Sequence, residues 1–313
     1  MKVIAVVGAT GAQGGGLARA ILGDPAGEFA VRALTRDPGS ERAKELAALG
    51  AEVVEADLDA PAGLLRAFEG AHGAYVMTNF WEPRTPEQQQ ARTPAEMELA
   101  QAANAARAAG EAGLRHVIWS TLADTRPYFP PGDAYRVPHA DSKADGDRFF
   151  AASGVPTTYL RASVYYEAFT SLFAPSRNER GELVLALGFG SARVPAQAAE
   201  DVGRTAYGIF REGTAMAGEV VSVAGSTLTG AQYAEALTTA LGEPVTYQPI
   251  SPEAIRASGA PGAEEVANML TYFAAAEQDL LGTIDDALLR RLNPGLLSFP
   301  AWLENHKEAF SRI

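Results

Sequence analysis

Short apolar runs alternate with amphipathic stretches through the first half of the chain. Residues 3–7, 29–35, 51–56, 73–77, 116–120 and 155–161 have strand length. Between them, Leu17, Ile21 and Leu22 fall on helical spacing, and residues 41–49, 62–68, 94–109 and 138–152 read as further helices. Gly50 stops the second of these and Pro94 opens the fourth, as those residues do at helix ends. Strands separated by helices predict an α/β fold with right-handed crossovers, a doubly wound parallel sheet. Beyond Arg161 the rhythm changes. Residues 169–173 are apolar, 175–181 are polar and loop-like, and 183–187, 218–223 and 245–249 read as strands. Helices are expected over 200–210, 252–258, 263–275 and 296–309, and over 229–241 between a Thr229 cap and a Gly242 stop. This half predicts a second, smaller α/β lobe roofing the carboxyl ends of the first strands.

The first strand runs directly into Gly8-Ala9-Thr10-Gly11-Ala12-Gln13-Gly14, and the turn opens a helix. Gly8 permits the tight turn, Gly11 lets the backbone approach a diphosphate, and Gly14 lets helix and strand pack closely. Free N–H groups at the helix N-terminus then favour an anion. The expected organisation is a dinucleotide-binding domain over 1–157, to which the chain returns near 192–225, and a substrate or partner lobe over 158–313.

Composition narrows the classes. Of 313 residues, 47% are hydrophobic and 20% charged, ordinary for a globular protein. No apolar run approaches the ~20 residues of a membrane span, and Met1-Lys2 leads straight into a strand, so a cytoplasmic protein is expected. There is no cysteine, which removes disulfides, thiolate nucleophiles and thiol switches. A net charge of −12 argues against direct nucleic-acid binding. His72, His116, His139 and His306 show no metal-ligand spacing, so no metal is expected.

Candidate chemistry sits where strands end. Arg36, after the second strand, suits the 2′-phosphate of NADP(H), which is therefore favoured over NAD(H), and Asp37 points into the turn. Asp57 and Leu58 follow the third strand and would lie beside the adenine. Thr78, Asn79 and Phe80 follow the fourth and would line the nicotinamide side. Ser120, His139 and Lys143 are the catalytic candidates. Short-chain dehydrogenases carry a Tyr-x-x-x-Lys pair on one helix face, and here His139 stands in the tyrosine's place. It reads either as a general acid or as a group that only lines the pocket. Tyr135 lies a further turn back, beyond Pro138, and is not expected on the same face. Tyr165, Tyr166 and Glu167 stand at the entry to the second lobe.

Taken together, these stretches resemble the NmrA-like family of atypical short-chain dehydrogenases. The likeness extends to Val266-Ala267-Asn268-Met269, Arg291-Leu292-Asn293-Pro294 and Trp302-Leu303-Glu304-Asn305-His306-Lys307. It implies a Rossmann lobe that binds NADP(H), with contacts at Gly11, Ala12, Gln13, Gly14, Arg36, Thr78, Asn79, Phe80, Lys143, Tyr165, Tyr166 and Glu167. Two positions depart from the family. Ala91 replaces a cofactor-contacting lysine, with Arg92 adjacent, and Ala168 replaces an asparagine. The family holds both redox sensors that regulate a protein partner and reductases of quinones or other flat unsaturated substrates. The missing tyrosine and absent thiols put the sensor first and the reductase second.

Overall fold

The six residues Lys2–Val7 (β1) become an interior strand of a sheet, and their side-chain alternation shows why. Ile4 and Val6 enter one apolar core, Ala5 and Val7 the other, so a strand with no polar face suits a position covered on both sides. The computed structural model describes residues 1–132, 135–260 and 262–311. From β1 the chain forms α1 (Ala12–Leu22), β2 (Phe29–Thr35), α2 (Glu41–Ala48), β3 (Glu52–Glu55), α3 (Pro61–Phe68) and β4 (Gly73–Val76). It continues through α4 (Pro86–Ala91), α5 (Pro94–Glu111), β5 (His116–Thr121), α6 (Pro138–Ala152) and β6 (Thr157–Arg161). The second half contributes β7 (Val164–Tyr165), β8 (Ser176–Arg177), β9 (Leu183–Leu187), β10 (Val194–Gln197), α7 (Ala199–Glu212), β11 (Val220–Ser222), β12 (Ser226–Leu228) and α8 (Gly230–Leu241). It ends with β13 (Val245–Pro249), α9 (Pro252–Ala257), α10 (Ala263–Ala275), α11 (Glu277–Gly282), α12 (Asp286–Leu292) and α13 (Phe299–His306).

The main sheet has seven strands in the order β3-β2-β1-β4-β5-β6-β11, all parallel. This is the doubly wound α/β arrangement, in which the strand order reverses beside β1 and opens a crevice at the carboxyl ends. Trp119, Phe150 and the alanines of α5 pack one face, while Leu17, Ile21, Val202 and Ile209 pack the other. Two small three-stranded sheets, β12-β10-β7 and β13-β9-β8, belong to a third core built on Tyr166, Phe169, Phe189, Tyr233, Phe299 and Trp302. No helix of the described residues is long and apolar enough to cross a membrane.

Several elements differ from the sequence pattern. α4, β10, β12, α11 and α12 have no counterpart in it, and the polar stretch 175–181 contains the two-residue β8. Pro195 argues against a strand over Val194–Gln197, yet burial of all four residues holds it there. α13 starts at Phe299 because Ser298 caps it, whereas Leu296 belongs to the first core. α7 and α1 cross at backbone contact: a Cβ on Gly203 would meet the Gln13 carbonyl oxygen at 2.1 Å, and one on Gly16 the Glu200 oxygen at 2.4 Å.

One buried histidine gives the fold a pH dependence. Thr158 donates its hydroxyl proton to the Met216 carbonyl at 2.7 Å and so accepts from His116 Nε2–H at 2.8 Å. Nδ1 has no partner, and burial pulls the ring down from 6.5 to about 4. The unfolded chain therefore takes up this proton first as pH falls, and the neutral ring's contribution, complete above pH 6.5, is lost toward pH 4. The gap corresponds to roughly 3 kcal/mol. The stability difference between wild type and His116→Leu, followed by denaturant melts from pH 7 to pH 4, is expected to shrink by about that amount. A difference that stays flat would contradict it.

Candidate functional site

A cavity of about 770 Å³ runs along the carboxyl ends of β1 to β4, within the range of about 300–1,000 Å³ usual for ligand sites. Its floor is the glycine turn. Gly8 has φ +68°, the left-handed region that glycine tolerates. Gly11 N–H donates to the Gly8 carbonyl at 2.9 Å. A Cβ on Gly14 would strike that same oxygen at 2.5 Å, so the helix sits hard against the turn. Gly11 caps α1 without a side chain, and the first turn holds no acid. The first-turn N–H groups are therefore left for a ligand, and a diphosphate fits them. Thr10, Ala12 and Gln13 complete this wall.

At one end stand Arg36, Asp57 and Leu58, joined by Ser40 and Arg42. Arg36 Nη1 donates to Glu82 Oε1 across the cleft. Arg42 Nη1 donates to the Thr10 carbonyl at 3.3 Å. Asp37 turns into its own loop, its Oδ1 accepting from Gly39 N–H at 2.9 Å, and Asp57 does likewise with Asp59 N–H at 2.8 Å. Arg92, next to Ala91, pairs with Asp59 at 2.5 Å and does not line the cavity.

At the other end, Thr78, Asn79 and Phe80 lie with the exposed indole of Trp81 beside Lys143 and His139. Lys143 Nζ donates to the Thr78 carbonyl at 2.8 Å and its hydroxyl at 2.7 Å, and pairs with Glu98 at 3.0 Å. Glu98, 1% exposed, also accepts from Thr78 Oγ1 at 2.7 Å and Ser142 Oγ at 2.6 Å. A buried charge so fully partnered holds the lysine in one place. His139, in the first turn of α6, has its Nδ1 2.5 Å from Glu265 Oε1, which reaches over from α10. The imidazole centroid lies 5.6 Å from that of Trp81 and 6.1 Å from that of Phe80. A carboxylate on Nδ1 fixes the tautomer and leaves Nε2 to act.

Gln13 links the floor to the second lobe. Its amide oxygen accepts from Tyr75 and, at 2.9 Å, from Ser120 Oγ, while its amide nitrogen donates to Tyr165. Burial pushes the Tyr165 hydroxyl up to about 12, so it stays protonated at neutral pH. Burial likewise raises the Glu167 carboxyl, which accepts from Ala199 N–H at 3.1 Å at the start of α7.

Two expected site residues are not in the cavity wall. Ser120 is turned beneath Gln13 and buried, so it braces the floor. Tyr166 alternates away from Tyr165 into the second core against Phe299 and Trp302. Tyr135 is also elsewhere, its hydroxyl on Asp145 at 2.5 Å, because α6 begins at Pro138. Four residues were not singled out from the sequence: Glu82, Glu98, Arg42 and Glu265. Glu98 is a lone acid on the inward face of an alanine-rich helix, a detectable anomaly, whereas Glu265 follows Glu264 and looks like any first-turn acid.

The chain matches the family model described as the NmrA-like family over residues 1–293. It is 40% identical over 154 residues to the NmrA-like family domain-containing oxidoreductase notA of Aspergillus sp. (strain MF297-2), a match covering 49% of this chain and 43% of that one. The aligned part is thus under half of that relative's length. The oxidoreductase ptmS of Penicillium ochrochloron aligns over 93% of this chain and 90% of its own at 26% identity. Crystal structures of NmrA, a negative transcriptional regulator, superpose with a TM-score of 0.77 at 25% identity, covering 97% and 94% of the two chains. NmrA has also been crystallised with NAD and with NADP. Glycine turn, seven-stranded sheet and near-complete match agree: this chain belongs to the NmrA-like family.

Proposed function

We propose that this protein binds NADP(H) in the cleft and reduces a quinone or another flat unsaturated substrate, with His139 as proton donor. The observation that carries this reading is the His139–Glu265 pair, set beside Trp81 and Phe80 at the cleft's far end. A residue that only lined the pocket would need no carboxylate at 2.5 Å on its inner nitrogen. Relatives named oxidoreductases support the same direction.

The bound dihydronicotinamide would supply the hydride. The α1 amides would hold its diphosphate and Arg36 the 2′-phosphate. Lys143, positioned by Thr78 and Glu98, would exchange one of its three ammonium contacts for a ribose hydroxyl. Residues 1–157, with the return over 192–225, form the dinucleotide domain in this reading, and the rest of 158–313 the lobe that closes over substrate, except that α12 and Leu296 pack into the first core. His139 gives its proton to the reduced substrate, while Glu265 stabilises the protonated ring and keeps Nδ1–H in place.

Calorimetric titration with NADPH, NADP, NADH and NAD tests the binding, and a quinone panel tests the turnover. NADPH is expected to bind about tenfold or more tighter than NADH, a difference of ~1.4 kcal/mol. Nucleotide-free protein with no affinity for either coenzyme overturns the reading. Tight NADPH binding with no turnover returns the sensor reading, in which the nucleotide biases two conformations and a protein partner reads them. Similarity to a transcriptional regulator favours that second reading.

A further inference from the structure

Resting on the NADP(H)-binding reading above, we propose that Glu82 competes with the 2′-phosphate for Arg36 and so determines how strongly the protein distinguishes NADP(H) from NAD(H). Arg36 and Glu82 both line the cavity and are paired to each other. The arginine side chain is 58% exposed and the glutamate 17%, so the acid is the fixed partner. Glu82 is fixed by a turn: its N–H donates to the Asn79 carbonyl at 3.1 Å, and Trp81 N–H donates to Asn79 Oδ1 at 3.2 Å. The turn is anchored in turn through Thr78 to Lys143. Asp37 and Asp57, also at this end, are occupied by Gly39 N–H and Asp59 N–H and leave Arg36 to Glu82.

A phosphate arriving here meets a guanidinium already neutralised and a carboxylate of its own sign. It must compete with Glu82 for Arg36, whose Nη1 the carboxylate holds, whereas a dinucleotide without the phosphate leaves the pair intact. The competition also reaches the far end of the cleft. Trp81 precedes Glu82 in the same turn, and its ring stands 5.6 Å from that of His139. Arrival of the 2′-phosphate is thereby coupled to the aromatic wall beside the proton donor.

Glu82→Gln keeps the size and removes the charge. In calorimetry it is expected to tighten NADP binding about three- to tenfold and leave NAD binding unchanged, the gain shrinking as salt is raised. Acrylamide quenching gives a second readout. Trp81 is 65% exposed while Trp119 and Trp302 are buried, so quenching reports Trp81. In wild type NADP should alter it more than NAD does, and in Glu82→Gln the two should act alike. NADP affinity that falls or stays constant in the variant overturns the proposal, as does an equal gain for both nucleotides. Equal quenching changes with NADP and NAD in wild type overturn the coupling to Trp81. Wild-type protein that binds neither nucleotide fails at the earlier step, the binding reading itself.

Discussion

Replacing His139 with phenylalanine is expected to lower turnover of NADPH with a quinone by about 10²- to 10⁴-fold, the usual worth of a positioned proton donor, with NADPH affinity unchanged. Phenylalanine keeps an aromatic ring against Trp81 and Phe80, so the wall persists and only the proton is lost. Glu265→Gln should cost less, roughly ten- to a hundredfold. Its amide oxygen can still accept Nδ1–H and hold the ring, but it no longer stabilises the imidazolium. Both losses should fall on kcat with KM little altered, because neither residue is asked to bind the ground state. Steady-state kinetics on the two variants decides. Turnover that survives in His139→Phe would remove His139 as the donor and leave hydride transfer with solvent as the proton source.

Gly203→Val is expected to be a severely damaging change to the fold that alters no residue of the cavity wall. The position has no left-handed backbone requirement. Its demand is space: an added Cβ would stand 2.1 Å from the Gln13 carbonyl oxygen and 2.3 Å from the Leu17 amide nitrogen. Backbone cannot step aside as a side chain would, so α7 must lift from α1. Overpacking of this kind costs about 3 kcal/mol or more, and the thermal midpoint should fall by at least about 5 °C. NADPH affinity should fall as well, because Gln13 belongs to the first turn that faces the diphosphate. Gly282→Ala is the control, with nothing within 4 Å of the added carbon, and should change neither. An unshifted melting point in Gly203→Val would show that the two helices do not meet as closely as described.

Much of the fold was legible because its signals are local. A run of apolar residues ending in glycine, a proline at a helix start or a threonine cap needs only a few neighbours to act. The strands Phe29–Thr35, Leu183–Leu187 and Val245–Pro249 and the helices Pro138–Ala152 and Ala263–Ala275 therefore fall where the pattern alone puts them. β12 and α11 escaped it, being three and six residues long and so too short to show a periodicity of their own.

For the site, the chain by itself determined the glycine turn and the strand-end positions of Arg36 and Thr78, which reach one cavity because a parallel sheet puts all its carboxyl ends on one edge; Lys143 joins them from α6 and Tyr165 from β7. Tertiary structure alone decided which groups answer each other. His139 meets Glu265 across 126 positions, Arg36 meets Glu82 across 46, and Gln13 gathers Tyr75, Ser120 and Tyr165. The difference between Tyr165 in the cleft and Tyr166 in the core is one step along an extended backbone. The physical reason is range. Helix and strand preferences are set by neighbours along the chain, whereas the pairing of charges and hydrogen-bonding groups depends on a distance of a few ångströms that exists only after distant segments have packed.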